Sequence, residues 1–138
     1  MTKAPDYSER TVMTTITVTG DNIRDTISGT DIVLLDFWAA WCGPCRAFAP
    51  VFEKAADAHP DITFGKIDTE VERELAAGFQ IRSIPTLMVF RGGIGVFSQP
   101  GALNDAQLEQ VISATRALDM TEVREQLRRQ SEAAGAAS

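Results

Sequence analysis

Cys42 and Cys45 are the two cysteines of the chain, and they stand three apart as Cys42-Gly43-Pro44-Cys45. An apolar run precedes them and apolar residues at helical spacing follow, so the pair falls where a buried strand turns into a helix. A helix N-terminus carries about half a positive charge and unpaired N–H groups, and both stabilise a thiolate. Cys42, nearest that end, is the expected nucleophile; Cys45 lies one turn in, screened by the helix and its neighbours. Gly43 permits close approach, and Pro44 suits the first helical position because it has no N–H to leave unpaired. A structural disulfide here is a poor staple: so short a loop gives roughly 2 kcal/mol, against about 4.7 for a 100-residue loop. Structural zinc takes about four ligands. The other soft ligand is His59, so a zinc site would have to be shared between molecules. A local pair of this kind makes a better redox switch than a staple.

Asp36 is the oddity beside the pair, a carboxylate between Leu35 and Phe37 in an apolar strand. Burying a lone carboxylate costs several kcal/mol. It therefore lies at a sheet edge, or pairs structurally with Lys66 on a neighbouring strand, or carries protons to and from Cys45 with a raised pKa. Trp41 immediately precedes Cys42 and is expected to border the site, whereas Trp38 reads as core, with Phe37, Phe48, Phe52, Phe64 and Phe90. The run Glu70, Glu72, Arg73 and Glu74 reads as a solvated helix face.

The elements that must hold these residues follow from periodicity and punctuation. Residues 15–19 read as a short strand, and Asp21 as the cap of a helix carrying Ile23 and Ile27. Residues 32–37 form a strand buried on both faces. The helix after the cysteines runs to about residue 58, with Phe48, Val51, Phe52 and Ala55 on one side and a kink expected at Pro50. A strand over 62–67 leads to a helix over 70–77 closed by Gly78. A strand over 86–91 turns at Gly92-Gly93 into a hairpin partner over 96–99. Asn104 caps a helix showing Leu108, Val111 and Ile112. The order is that of an α/β fold, a sheet with helices on both faces. Beyond residue 116, Asp119 and Glu122 have capping-box spacing for an extra helix with Met120, Val123 and Leu127 on one side, and residues 131–138 read as a fraying tail. The expected division is a flexible arm over 1–13, one catalytic domain over 14–116 and a helical extension over 117–138.

The chain's 138 residues suffice for a single core without staples. Thirteen Lys and Arg against nineteen Asp and Glu give a net charge of −6, which argues against nucleic acid as a partner. The first ten residues lack the apolar stretch of a signal peptide, and no segment approaches the ~20 apolar residues of a membrane span. The expectation is a cytoplasmic monomer. Reduced thiols prevail in that compartment, and there a Cys-x-x-Cys pair is catalytic or metal-binding before it is structural.

The block Asp36-Phe37-Trp38-Ala39-Ala40-Trp41-Cys42-Gly43-Pro44-Cys45 resembles the active-site segment of the thioredoxin family. Ile84-Pro85-Thr86 resembles that family's cis-proline loop, and Gly101-Ala102-Leu103 its late glycine turn; the likeness in pattern covers about residues 15–116. The resemblance implies the thioredoxin fold, a mixed central sheet flanked by helices. It implies protein-disulfide reduction, with Cys42 attacking, Cys45 resolving, Asp36 shuttling the proton and Lys66 modulating it. Pro85 would be cis, leaving the Ile84 backbone free for an extended target, with Trp41, Gly43, Pro44 and Gly101 bordering the groove. Gly-Pro between the cysteines, without the histidine of oxidising relatives, implies a reductant. The partners would be disulfide-containing proteins and a flavin-dependent thioredoxin reductase supplying electrons from NADPH. The chain has no glycine-rich nucleotide motif and should bind neither cofactor, nor a metal. Ser83 and Pro100 depart from the commonest pattern of the family, and both fall near the groove. The competing readings are a non-catalytic binding module using the extra helix, and an oxidant or isomerase of an exported compartment.

Overall fold

A computed structural model describes residues 14–137; the expected arm over 1–13 lies outside the described residues, as does Ser138. The chain runs β1 (Thr15–Thr17), α1 (Ile23–Gly29), β2 (Ile32–Trp38), α2 (Gly43–Ala58), β3 (Thr63–Asp68), α3 (Arg73–Gly78), β4 (Thr86–Arg91), β5 (Ile94–Pro100), α4 (Asp105–Arg116) and α5 (Met120–Ala137). The strands form one mixed sheet in the order β1-β3-β2-β4-β5. β1 and β2 run parallel to β3, while β4 is antiparallel to β2 and to β5.

β2 is central, and its first six residues are all buried. Side chains alternate across a strand, so β2 feeds two cores. Ile32 and Leu34 pack with Phe48, Phe52, Phe64, Leu87, Leu108 and Ile112 beneath α2 and α4. Val33, Leu35 and Phe37 pack with Val18, Ile67 and Phe90 on the other face, where α1 and α3 bring Ile23, Ile27 and Leu75. Each fully buried Phe or Leu is worth roughly 1.5–3 kcal/mol, so these two layers hold the sheet. β1 closes tightly over β3 because Gly65 lacks a Cβ; one there would stand 2.5 Å from Val18 Cγ2.

Several boundaries differ from the sequence reading. Asp21 does not cap α1: Asn22 holds that place without a side-chain cap bond, its Oδ1 taken by the Thr19 N–H at 2.8 Å. The third strand runs Thr63–Asp68, one residue later than expected. α3 starts at Arg73, not at Glu70, because Asp68 organises a turn first: its Oδ1 accepts the Glu70 N–H at 2.9 Å and its carbonyl the Glu72 N–H at 2.8 Å. α3 ends at Gly78 as expected, but the left-handed residue beyond it is Gln80, at φ 59°.

The hairpin is longer than expected, Ile94–Pro100, around Gly92 and Gly93 at φ 59° and 81°, the two positive values that match strand twist. Pro50 lies inside α2 without ending it. Asn104 forms a full capping box with Gln107. The helical extension runs past residue 131. α5 continues to Ala137, favoured by its alanines and by ion pairs of Arg128 with Glu125 and Glu132. Arg91 ties the end of α4 to the sheet, its Nη1 donating to the carbonyls of Thr115, Arg116 and Leu118 at 2.8–3.1 Å. No helix among the described residues is long and apolar enough to cross a membrane.

Candidate active site

β2 delivers Asp36 into the sheet and ends at Trp38; after four intervening residues the chain enters α2 at Gly43. Cys42 is the N-cap of α2, with extended backbone at φ −88°, ψ 115°. Gly43 is thus the first helical residue and Pro44 the second, one place later than the sequence suggests. The Cys45 N–H, one of the unpaired amides of the first turn, donates to Cys42 Sγ at 3.2 Å. The two cysteines are joined as a disulfide with Cα atoms 5.2 Å apart. Both are buried, against Ala39, Trp38 and Ile84. Arg46 pins the approach to the site, its Nη1 donating to the Ala40 carbonyl at 2.9 Å.

The loop facing the sulfurs comes from the start of β4. The Ile84–Pro85 peptide bond is cis, and Cys42 Sγ lies 3.7 Å from the Ile84 carbonyl oxygen. Thr86 Oγ1 donates to the Ser83 carbonyl at 2.7 Å and braces the loop from within. Gly101, at φ 99°, donates its N–H to the Pro85 carbonyl at 2.8 Å, and Pro100 pairs across from Thr86. Cys42, Cys45, Ile84, Pro85 and Gly101 therefore meet at one end of the sheet. Trp41 stands on the rim, 67% exposed, with Nε1 donating to Glu70 Oε2 at 3.3 Å.

Asp36 lies inside the sheet and not at an edge: it is 1% exposed, and neither carboxyl oxygen has a hydrogen-bond partner. Its cross-strand neighbours are Lys66 on β3 and Leu87 on β4. Burial pushes its carboxyl from 3.8 up to about 7, with the nearby Lys66 charge pulling the other way. Lys66 makes no ion pair with it; the ammonium lies 3.8 Å from Glu53 Oε2 and 5.0 Å from the centre of the Trp38 ring. A carboxyl poised near neutrality can both take and return a proton at cellular pH.

Sequence reasoning missed Glu53 and Glu70. Glu53 follows Cys45 by eight residues, about 80° further round the helix, which takes it off the buried stripe. Glu70, which the charge pattern places on a solvated helix face, lies in the loop before α3 and accepts from Trp41 Nε1, while Glu72 accepts the Gly20 N–H at 2.9 Å.

The family model described as Thioredoxin matches residues 14–114. The chain belongs to the thioredoxin family. It is 53% identical over 121 residues to a Streptomyces coelicolor protein that carries a thioredoxin name, covering 88% of this chain and 90% of that one. A match of that length reaches into the extension beyond Arg116. Among solved structures, a thioredoxin variant of Halobacterium salinarum NRC-1 superposes with a TM-score of 0.71 at 33% identity, over 77% of this chain and 95% of that one. The chain is also 42% identical over 90 residues to the bifunctional thioredoxin reductase/thioredoxin of Mycobacterium leprae, covering 64% of this chain and 20% of that one. The fold is the thioredoxin fold and the activity is dithiol–disulfide exchange: the chain is a thiol-disulfide oxidoreductase.

Proposed function

We propose that the chain reduces protein disulfides with Cys42 as nucleophile and Cys45 as resolving thiol. The observation that carries the assignment is the placing of Cys42 at the N-cap of α2, where an amide N–H already points at its sulfur. In the reduced enzyme the Cys42 thiolate attacks one sulfur of a target disulfide. A Cys42–target bond forms, and the second target sulfur leaves as a thiolate. Asp36 takes the proton of Cys45, directly or through water, with Lys66 modulating its charge. Cys45 then attacks Cys42 Sγ, the first target sulfur departs, and the two electrons have passed to the target.

Ile84 offers its backbone to the extended target strand, a form of strand addition. Trp41, Gly43, Pro44, Pro85 and Gly101 border that strand. A flavin-dependent thioredoxin reductase returns the disulfide to the dithiol with electrons from NADPH; the Mycobacterium leprae fusion of the two activities supports this pairing. The reading places the enzyme in the cytoplasm as a monomer. It needs residues 14–116 for catalysis and treats 117–138 as an accessory. The test is turnover of a protein disulfide coupled to thioredoxin reductase and NADPH. NADPH consumption that is lost in Cys42→Ser is the expected result; no consumption by the unaltered protein overturns the reading in favour of a binding module.

A further inference from the structure

Glu53 is a charged side chain that the exchange chemistry above does not use. It projects from α2, and its Oε2 lies 3.8 Å from Lys66 Nζ. Lys66 stands on β3 across from Asp36, and its ammonium lies 5.0 Å from the Trp38 ring centre. The side chains of Lys66 and Glu53 are 20% and 43% exposed, so together they lead from a sealed carboxyl to solvent. On the outer side is a cleft of about 260 Å³ whose lining includes Trp38, Lys66, Asp68 and Glu72.

We propose that Glu53 is a positioning residue: it holds the Lys66 ammonium outward, away from Asp36, and so sets the pH at which Asp36 gives up its proton. The inference rests on the reading of Asp36 as the proton carrier of the site. Lys66 is the only cation acting on Asp36 among the described residues, and Asp36 offers it two unpartnered oxygens. β4 contributes the uncharged Leu87 beside Asp36, and α2, the helix that carries Cys45, contributes Glu53 to Lys66. Around Lys66 the anions are Asp36, Glu53, and Asp68 and Glu72 of the cleft. One ammonium therefore divides its charge between a buried carboxyl and a half-exposed carboxylate. While Glu53 holds it, Asp36 is left under-compensated and keeps its proton to higher pH. Removing the Glu53 charge frees Lys66 to stabilise the Asp36 carboxylate.

The experiment follows the Asp36 carboxyl by carbon NMR through a pH titration of the oxidised protein, in which neither cysteine titrates. Glu53→Gln should move the Asp36 midpoint down by about 0.5 pH unit or more. Glu53→Asp, which keeps the charge on a shorter arm, should lie between. In a Lys66→Gln background the Glu53→Gln shift should vanish, because Glu53 acts through Lys66. An unmoved midpoint, or an equal shift without Lys66, overturns the proposal. The pH profile of target release from the mixed disulfide is then measured on the same variants. A profile that follows the NMR midpoint supports both assignments. A profile that stays put while the midpoint moves removes Asp36 from the release step, yet leaves the hold of Glu53 on Asp36 established.

Discussion

The two ends of α2 handle charge in opposite ways. Just past its C-terminal end, four charged or ionisable side chains are linked in one cluster. Arg116 grips Asp61 through both terminal nitrogens, at 2.8 and 3.1 Å, and donates to His59 Nδ1 at 3.0 Å, while His59 Nε2 meets Glu109 at 2.9 Å. The Arg116 hydrogen bond holds the Asp61 carboxyl below its usual range. At the N-terminal end a carboxyl is sealed in the sheet with both oxygens unpartnered, and burial raises its pKa to about 7. The first cluster joins α2 to α4 at the surface, where ion pairs contribute little. The second costs stability, and in the proposed mechanism it is the group that takes the proton of Cys45. On the proposed reading, the linked charges serve the fold and the unpartnered carboxyl serves the chemistry.

The contrast can be broken first at the sulfurs. Cys42→Ser should lower coupled turnover on the order of a thousandfold or more, since the nucleophile itself is gone. Steady-state NADPH consumption reads this directly.

Asp36→Asn tests the cost of the unsatisfied end. The folded protein binds the Asp36 proton more tightly than the unfolded chain does, with a carboxyl at about 7 against 3.8. Its contribution to stability is therefore fully present below about pH 4, is lost as pH rises towards 7 and is flat above. Relative to Asp36→Asn, the unaltered protein should lose on the order of 4 kcal/mol between pH 4 and pH 8. Denaturant unfolding at the two pH values checks this, and parallel pH profiles would contradict it. The same variant should release targets more slowly than it captures them.

Gly65→Ala tests packing away from both charge clusters. The new Cβ would meet Val18, so a loss of about 1–3 kcal/mol in unfolding free energy is expected, with kcat unchanged. Truncation after Leu118 keeps the carbonyls that Arg91 binds and should leave turnover unaltered; a large loss would place α5 within the working domain. Asp61→Asn, at the satisfied and solvated end, should have the smallest effect. Its thermal midpoint at neutral pH should be nearly that of the unaltered protein, and what difference exists should fade with added salt.

Much of this contrast was legible in the residues. The apolar run of β2 announced a central strand, and Asp36 stood out within it because a carboxylate there is expensive. Asn104 with Gln107 and the Gly92-Gly93 pair carry local signals strong enough to fix a helix start and a turn. The misplaced boundaries depend on contacts distant in sequence or on competing local bonds. Asp68 delays α3, with the Thr69 N–H spent on the Trp38 carbonyl at 2.9 Å, and no helical periodicity encodes that bond. The cis bond before Pro85 is invisible to local preference, which favours trans, and was reached only through resemblance. Glu53 was hidden because its meaning depends on the register that sets Lys66 opposite Asp36.

The central claim is the division of labour between the two sulfurs. Each single-cysteine variant, Cys42→Ser and Cys45→Ser, is reduced and mixed with a disulfide-containing protein, and covalent adducts are weighed by mass spectrometry. Cys45→Ser should accumulate a mixed disulfide through Cys42, because nothing remains to resolve it, and Cys42→Ser should trap none. Equal trapping by both variants, or an adduct on Cys45 alone, would contradict the account.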